Sequence, residues 1–124
     1  MKKVIVTGGA GFIGSHITEL LLSRGYRVTI IDNLSTGKTA NIEPLLKNTN
    51  VEFIQGSITD LPLLQNLFKD TCYVFHQAAL SSVPRSTRDP LSTNEANITG
   101  TLNVLLAARD NNVKKVIYAS SSSV

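Results

Sequence analysis

The chain carries a single cysteine, Cys72, in 124 residues. No internal disulfide can form, which fits a reducing compartment. It lacks an apolar run long enough to cross a bilayer. The apolar stretch behind Lys2-Lys3 is broken at once by glycines, so it does not read as a signal peptide, and a cytoplasmic location is expected. A clustered basic stripe is also missing. The net charge is +3, and the only adjacent lysines, Lys2-Lys3 and Lys114-Lys115, each precede an apolar run. These read as solvated strand ends rather than a nucleic-acid footprint, and neither nucleic acid nor membrane is expected as a partner. No metal-ligand constellation surrounds His16 or His76, so no metal is expected. His16 reads as structural and His76 as a histidine hydrogen-bonded at a strand end. Low-complexity linkers and internal repeats are absent. With 42% apolar and 17% charged residues the composition is that of an ordinary soluble domain with enough chain for one core, which excludes disorder.

What is present alternates. An apolar run from Lys3 to Val6 leads into "TGGAGFIG", after which Ile13, Ile17, Leu20 and Leu21 recur at helical spacing. Arg24-Gly25 predicts a basic last turn and a C′ glycine. "YRVTIID", "VEFIQG", "CYVFHQAA" and "KVIYAS" read as further strands, rich in β-branched residues. Between them lie a turn-like "NLSTGKTANI" and a weak helix around Pro44 to Lys47. A helix capped by Asp60 follows, with Pro62 in its first turn, running to about Phe68. The longest helical pattern opens at Pro90, with Ile98, Leu102, Leu105 and Leu106 on one face. Strands that are apolar almost throughout and alternate with helices predict an α/β fold, a doubly wound parallel sheet. Right-handed crossovers favour the order 3-2-1-4-5.

"TGGAGFIG" satisfies G-x-G-x-x-G through Gly9, Gly11 and Gly14, and G-x-x-G-x-x-G through Gly8, Gly11 and Gly14. A strand turning sharply into a helix presents free N–H groups and the positive dipole end to a pyrophosphate. A side chain at Gly11 would hold the phosphate off, and Gly14 is expected to let the helix lie close to the sheet. Context gives the motif its force: a strand before, an amphipathic helix after, and Asp32 ending the second strand. Asp32 can accept both adenosine ribose hydroxyls and would repel a 2′-phosphate, so NAD is expected over NADP. A phosphate-binding P-loop is excluded, because Ser15-His16 follows Gly14 where that motif needs Lys and Ser/Thr.

Through "TGGAGFIGSH", "DNLSTG", "HQAA", "SVPRS…DP", "N-x-x-GT" and "YASSSSV", the whole chain resembles the extended short-chain dehydrogenase/reductases, in their nucleotide-sugar epimerase/dehydratase branch. The resemblance implies that Gly11, Phe12 and Ile13 contact the pyrophosphate, in a cofactor-binding loop that includes Gly8 and Gly14. It implies that Asp32, Asn33, Leu34, Ser35, Thr36 and Gly37 wrap the adenosine ribose. Gln77, Ala78, Ala79 and Leu80 should line the cofactor. The third strand of that family usually ends in Gly-Asp-Ile, the Asp lying near the adenine amino group. Here Ser57 and Ile58 follow Gly56, which weakens one expected hydrogen bond. Ser81 and Ser82 would approach the sugar. Ser121 takes the place of the catalytic Ser/Thr that hydrogen-bonds the sugar O4.

Family dehydratases carry Asp-Glu after that serine, an acid/base pair that eliminates water. Ser122-Ser123 stands here, so the resemblance favours an NAD-dependent UDP-hexose 4-epimerase of the UDP-glucose or UDP-N-acetylglucosamine type, a homodimer when full length. A free-standing NAD-binding module without chemistry and a related dehydratase or reductase are the alternatives. The family's catalytic Tyr-x-x-x-Lys pair is missing: four residues after Tyr26, Tyr73 and Tyr118 stand Ile30, Gln77 and Ser122. Residues 1–124 are therefore expected to be the N-terminal part of an NAD-binding domain, inactive alone. The pair is expected about 25 residues further on, the length of one crossover, and a substrate domain beyond it. Tyr118, in strand phase with Val116, is expected to serve packing.

Overall fold

The computed structural model describes residues 2–34, 38–77 and 98–118. Among them run β1 (Lys3–Thr7), α1 (Phe12–Ser23), β2 (Arg27–Asp32), β3 (Val51–Gln55), α2 (Leu61–Leu67), β4 (Thr71–His76), α3 (Gly100–Asp110) and β5 (Lys115–Tyr118). The weak helix expected near Pro44 is a single 3-10 turn, Leu45–Lys47, preceded by another at Thr39–Asn41. All strands pair in parallel in the order β3-β2-β1-β4-β5, as the alternating pattern predicts. After β3 the chain returns past β1 to reach β4, so the C-terminal ends of β1 and β4 flank the switch point where such sheets take ligands.

Side-chain alternation along the strands makes two cores, one on each face. Val4, Val6, Val28 and Ile30 turn towards α1, joined by Leu21 and Ile42. Ile5, Ile31 and Val74 turn the other way, against Leu64, Leu67 and Phe68 from the α2 region and Val104, Ala107 and Ala108 of α3. With both faces covered, β1 and β2 are buried at every position after the first.

The helices end as their sequence signals require. Gly25 takes φ +86° after α1. The Tyr26 amide reaches back to Leu21 O and the Gly25 amide to Leu22 O, the paired bonds of a Schellman cap. Asp60 caps α2 by accepting the Leu63 amide at 3.2 Å, with Pro62 in the first turn.

The apolar residues that recur at helical spacing are not, for the most part, the ones the two longer helices bury. On α1 the buried residues are Gly14, Ser15, Thr18 and Leu21, whereas Ile13 and Leu20 are exposed. On α3 the buried face is Gly100, Asn103, Val104, Ala107 and Ala108, and Ile98, Leu102 and Leu105 turn outward. Both helices approach their neighbours through small residues, and a Cβ on Gly100 would collide with Ile58. At Gly14 and Gly100 a larger side chain has no room. Tyr118 is likewise 53% exposed, its ring tilted against His76 at 5.4 Å between centroids.

A buried polar chain ties the sheet together at the switch point. The Thr7 hydroxyl accepts the Gln77 amide at 2.9 Å and lies 2.7 Å from His76 Nδ1. The other ring nitrogen, Nε2, lies 3.0 Å from Thr101 Oγ1 on α3, so in the neutral imidazole one ring nitrogen donates and the other accepts, and both are partnered. His76 is thus a structural strand-end histidine, as expected, linking β1, β4 and α3.

His76 is 2% exposed, and burial pushes its pKa down from 6.5 to about 4. Between those values the unfolded chain binds a proton that the folded chain refuses, so stability falls as the pH drops through that window. Lowering the pH from 7 to 5 should cost about 2 kcal/mol through this residue. Urea unfolding of the protein and of His76→Gln at both pH values checks this. The variant should lose about 2 kcal/mol less over that step, and equal losses would remove His76 as the cause.

Candidate functional site: the C-terminal edge of the sheet

Gly8 leaves β1 with φ +71° and its amide bonds Ile31 O at 2.8 Å, so the loop starts against β2. Three glycines then serve three close approaches. A Cβ on Gly9 would collide with the Ile30 side chain, and one on Gly11 would come within 3.3 Å of Gly8 O. On Gly14 a Cβ would strike the Gly8 carbonyl and stand 2.8 Å from Gly9 Cα. Gly14 therefore serves the approach of α1 to the loop itself, a refinement of the expected approach to the sheet.

The first bond inside α1 runs from the Ser15 amide to Gly11 O at 2.9 Å. The amides of Phe12, Ile13 and Gly14 have no acceptor within the helix and lie at its positive end. Phe12 and Ile13 are exposed, the Phe12 ring standing edge-on to His16 with centroids 4.6 Å apart. The amides of both residues, at the helix end, can meet an anion.

Asp32 ends β2 and is 8% exposed. One carboxylate oxygen accepts the Ala10 amide at 3.0 Å, the other the Leu34 amide at 2.7 Å. Leu34 takes φ +63°, a bend that brings its amide back over the carboxylate. Each carboxylate oxygen has a second acceptor site, so two hydroxyls can still be met. The Ala10 carbonyl receives the Lys38 amide at 3.1 Å and Asn41 Nδ2 at 2.8 Å. Thus the glycine loop is held from two sides, by Asp32 and by residues 38–41.

Around the rest of the edge, Gln77 follows β4 and is fixed by its amide to Thr7. The Ser57 hydroxyl lies 2.7 Å from the Thr59 hydroxyl and accepts the Thr59 amide at 3.1 Å, closing a local turn. Ile58 is buried in the core beside α3, and its carbonyl receives Asn103 Nδ2 at 3.1 Å. What Ile58 could offer a cofactor is backbone. Asn33 lies beside Asp32 at the same strand end. Of the expected residues, the structure brings Gly8, Gly11, Phe12, Ile13, Gly14, Asp32, Asn33 and Leu34 to the β1 and β2 ends, with Gln77 at β4 and Ser57-Ile58 after β3. Ser35, Thr36, Gly37, Ala78, Ala79, Leu80, Ser81, Ser82 and Ser121 lie outside the described residues.

Sequence reading missed Thr7, Ala10, Asn41 and Thr101. Ala10 acts through its backbone and leaves no side-chain signal. The Thr7–His76 contact joins residues 69 apart, which spacing along a strand cannot show. Among the described residues no group of His, Cys, Asp and Glu could hold a metal, and no helix is long and apolar enough to cross a membrane.

Residues 4–124 match the model of the NAD dependent epimerase/dehydratase family. The chain belongs to that family. Family members with solved structures align over nearly all of it. A UDP-N-acetylglucosamine 4-epimerase from Methanobrevibacter ruminantium is 48% identical, with a TM-score of 0.87 over 98% of this chain and 38% of its own. The UDP-glucose 4-epimerase of Thermus thermophilus, solved with NAD, is 43% identical, with a TM-score of 0.84 over 95% of this chain and 37% of its own. The UDP-N-acetyl-alpha-D-glucosaminuronate decarboxylase of Bacillus cytotoxicus is 42% identical over 99% of this chain and 37% of its own length. The chain thus spans little more than a third of the relatives it matches.

NAD is the cofactor of this family, and the edge described above suits a dinucleotide. The loop is kept clear of side chains, three amides lie at the helix end, and a carboxylate with spare acceptor sites stands one strand away. Two substitutions separate loop shape from charge. Gly14→Ala, forced against the Gly8 carbonyl, should lower stability by about 1–3 kcal/mol, read as a fall in Tm, and weaken NAD binding with it. Asp32→Asn leaves one of the Ala10 and Leu34 amides facing an NH₂ group. It should weaken NAD binding by about 1.5–3 kcal/mol, roughly 10- to 150-fold, and erase discrimination against NADP. Calorimetric titration with both dinucleotides measures each effect, and an Asp32→Asn protein that still prefers NAD would contradict the second.

Proposed function

We propose that the protein is an NAD-dependent UDP-sugar 4-epimerase, of the UDP-glucose/UDP-galactose type, and that residues 1–124 are its cofactor-binding portion. NAD, when bound, would supply the hydride-accepting and hydride-donating chemistry that inversion at sugar C4 requires. The observation that carries the reading is the pair of 4-epimerases at 43–48% identity that align across almost the whole chain. Ser122-Ser123 supports it, since neither serine can act as the acid/base pair of a dehydratase at neutral pH.

In this reading the amides of Phe12, Ile13 and Gly14 receive the pyrophosphate. Asp32 accepts the adenosine ribose hydroxyls, aided by Asn33, Leu34, Ser35, Thr36 and Gly37. Ser57 and Ile58 offer the adenine end a turn and its backbone. Gln77, Ala78, Ala79 and Leu80 line the path from β4 towards the nicotinamide. Ser81 and Ser82 approach the sugar, and the Ser121 hydroxyl hydrogen-bonds O4 and orients it. The proton of O4 goes to a tyrosine of a Tyr-x-x-x-Lys pair that residues 1–124 do not contain.

A second reading, decarboxylation of a UDP-hexuronate, is favoured by the Bacillus cytotoxicus relative. Both begin with the same oxidation at C4 and differ in whether the sugar carries a carboxylate to lose. Incubating the whole protein with UDP-glucose, UDP-N-acetylglucosamine and UDP-glucuronate, with NMR of the products, distinguishes them. The 4-epimer of a neutral sugar is expected. Carbon dioxide released from the uronate, with neutral sugars untouched, would select the second reading.

Within the epimerase, Ser121→Ala should lower kcat by about 10²-fold while NAD affinity stays constant, because its bond strengthens in the transition state. Ser122 alternates to the opposite side of an extended strand, so Ser122→Ala should be nearly silent. The reverse pattern in steady-state kinetics would move the assignment by one residue.

A further inference from the structure

The opposite, N-terminal edge of the sheet holds a concavity of about 430 Å³. Lys2, Lys3, Arg27, Lys69 and Lys114 line it, with Asp70 as the one carboxylate. These cations come from four separate stretches of chain: the start of β1, the start of β2, the turn after α2 and the turn after α3. The two lysine pairs that look like unrelated strand ends in the sequence therefore each send a side chain to one place.

Part of this charge has a structural explanation. Helices in this fold run against the strands, so their C-terminal ends gather at this edge. Lys3 Nζ donates to Leu67 O at 2.7 Å and to Lys69 O at 3.3 Å, satisfying the end of α2. Helix ends do not account for the rest. Five cations and one carboxylate leave a formal excess of four, and each of the three helix C-termini offsets roughly half a charge. The Glu52 carboxylate, which also acts on Lys3, offsets one more, so roughly one and a half positive charges remain. Among the described residues the one ion pair is Arg109–Asp110, at the end of α3, and none of the five cations takes part in it. Burial lowers the Lys3 pKa below the usual lysine range; Arg27 adds to the shift, while Glu52 and Asp70 oppose it. An anion in the cavity would relieve that penalty.

We propose that this cavity binds a phosphate-bearing anion at the edge of the sheet remote from the dinucleotide loop. A phosphate carries close to two negative charges at neutral pH, which matches the unbalanced charge. The cavity volume suits a small anion. Inorganic phosphate and the phosphate group of a small organic ester share this chemistry.

The test uses the whole protein saturated with NAD, so that the C-terminal edge is filled, titrated calorimetrically at low ionic strength. One arm uses inorganic phosphate and the other ribose 5-phosphate. A Kd at or below about 1 mM is expected in at least one arm. Lys2, Lys69 and Lys114 are exposed, so the triple variant Lys2→Glu, Lys69→Glu, Lys114→Glu should keep its urea midpoint and NAD affinity. It should bind the anion about tenfold more weakly or not at all. A triple Gln variant, which removes charge without reversing it, guards against misfolding and should fall between the two. Equal affinity in both arms identifies any phosphate group as sufficient, and tenfold tighter ribose 5-phosphate identifies an ester as the ligand. Absence of binding in both arms, or binding that survives charge reversal, would overturn the proposal.

Discussion

The carboxylate of Asp32 stands between two backbone amides that belong to different loops, Ala10 in the glycine turn and Leu34 at the exit of β2. A buried carboxylate is tolerable only when its oxygens are met by donors, and here the protein supplies one donor to each. The same two bonds fix the glycine loop against β2 and bend the chain after β2 over the loop. Residues 38–41 add the second clamp through Ala10 O. The cofactor edge is therefore shaped before any ligand arrives. A ribose would find the carboxylate oriented, with a second acceptor site on each oxygen, and a pyrophosphate would find helix amides already aligned. Such preorganisation lowers the ordering cost of binding.

A second polar device sits one strand away. Thr7, His76 and Thr101 hold β1, β4 and α3 in one hydrogen-bonded chain, and Gln77 begins the segment after β4 from a fixed amide. The Tyr118 ring lies against His76, so the end of β5 is referenced to the same group. Three residues later comes Ser121, the proposed oxygen-orienting serine. The histidine does no chemistry in this scheme. Its neutral, buried imidazole positions the strand ends from which the proposed reacting groups emerge.

Much of this architecture is legible in the residues alone. Apolar strands with β-branched content, glycines at helix ends and an aspartate before Leu61 were enough to place the elements and their order. The glycine turn with Asp32 marked the ligand edge. The buried helix faces were not legible, because apolar periodicity says which residues share a side, not which side meets the sheet. Gly14 on α1 and Gly100 on α3 sit where a Cβ would strike the glycine loop or the Ile58 side chain, and the buried faces carry mostly small residues beside Leu21 and Val104. Nor could spacing reveal bonds between residues distant in sequence, such as Thr7 with His76 or Asn41 with Ala10. The basic cavity was hidden for the same reason, its cations being scattered along the chain and gathered only by the parallel topology.

A crystal structure of the whole protein with NAD bound tests the central claim most directly. The pyrophosphate is expected on the amides of Phe12 and Ile13, and both adenosine ribose hydroxyls within hydrogen-bonding distance of Asp32, roughly 2.6–3.0 Å. The Asp32 bonds to Ala10 and Leu34 should be unchanged from those described here. A dinucleotide whose ribose lies away from Asp32, or whose binding breaks the Ala10 bond to open the loop, would contradict a site built in advance around that carboxylate.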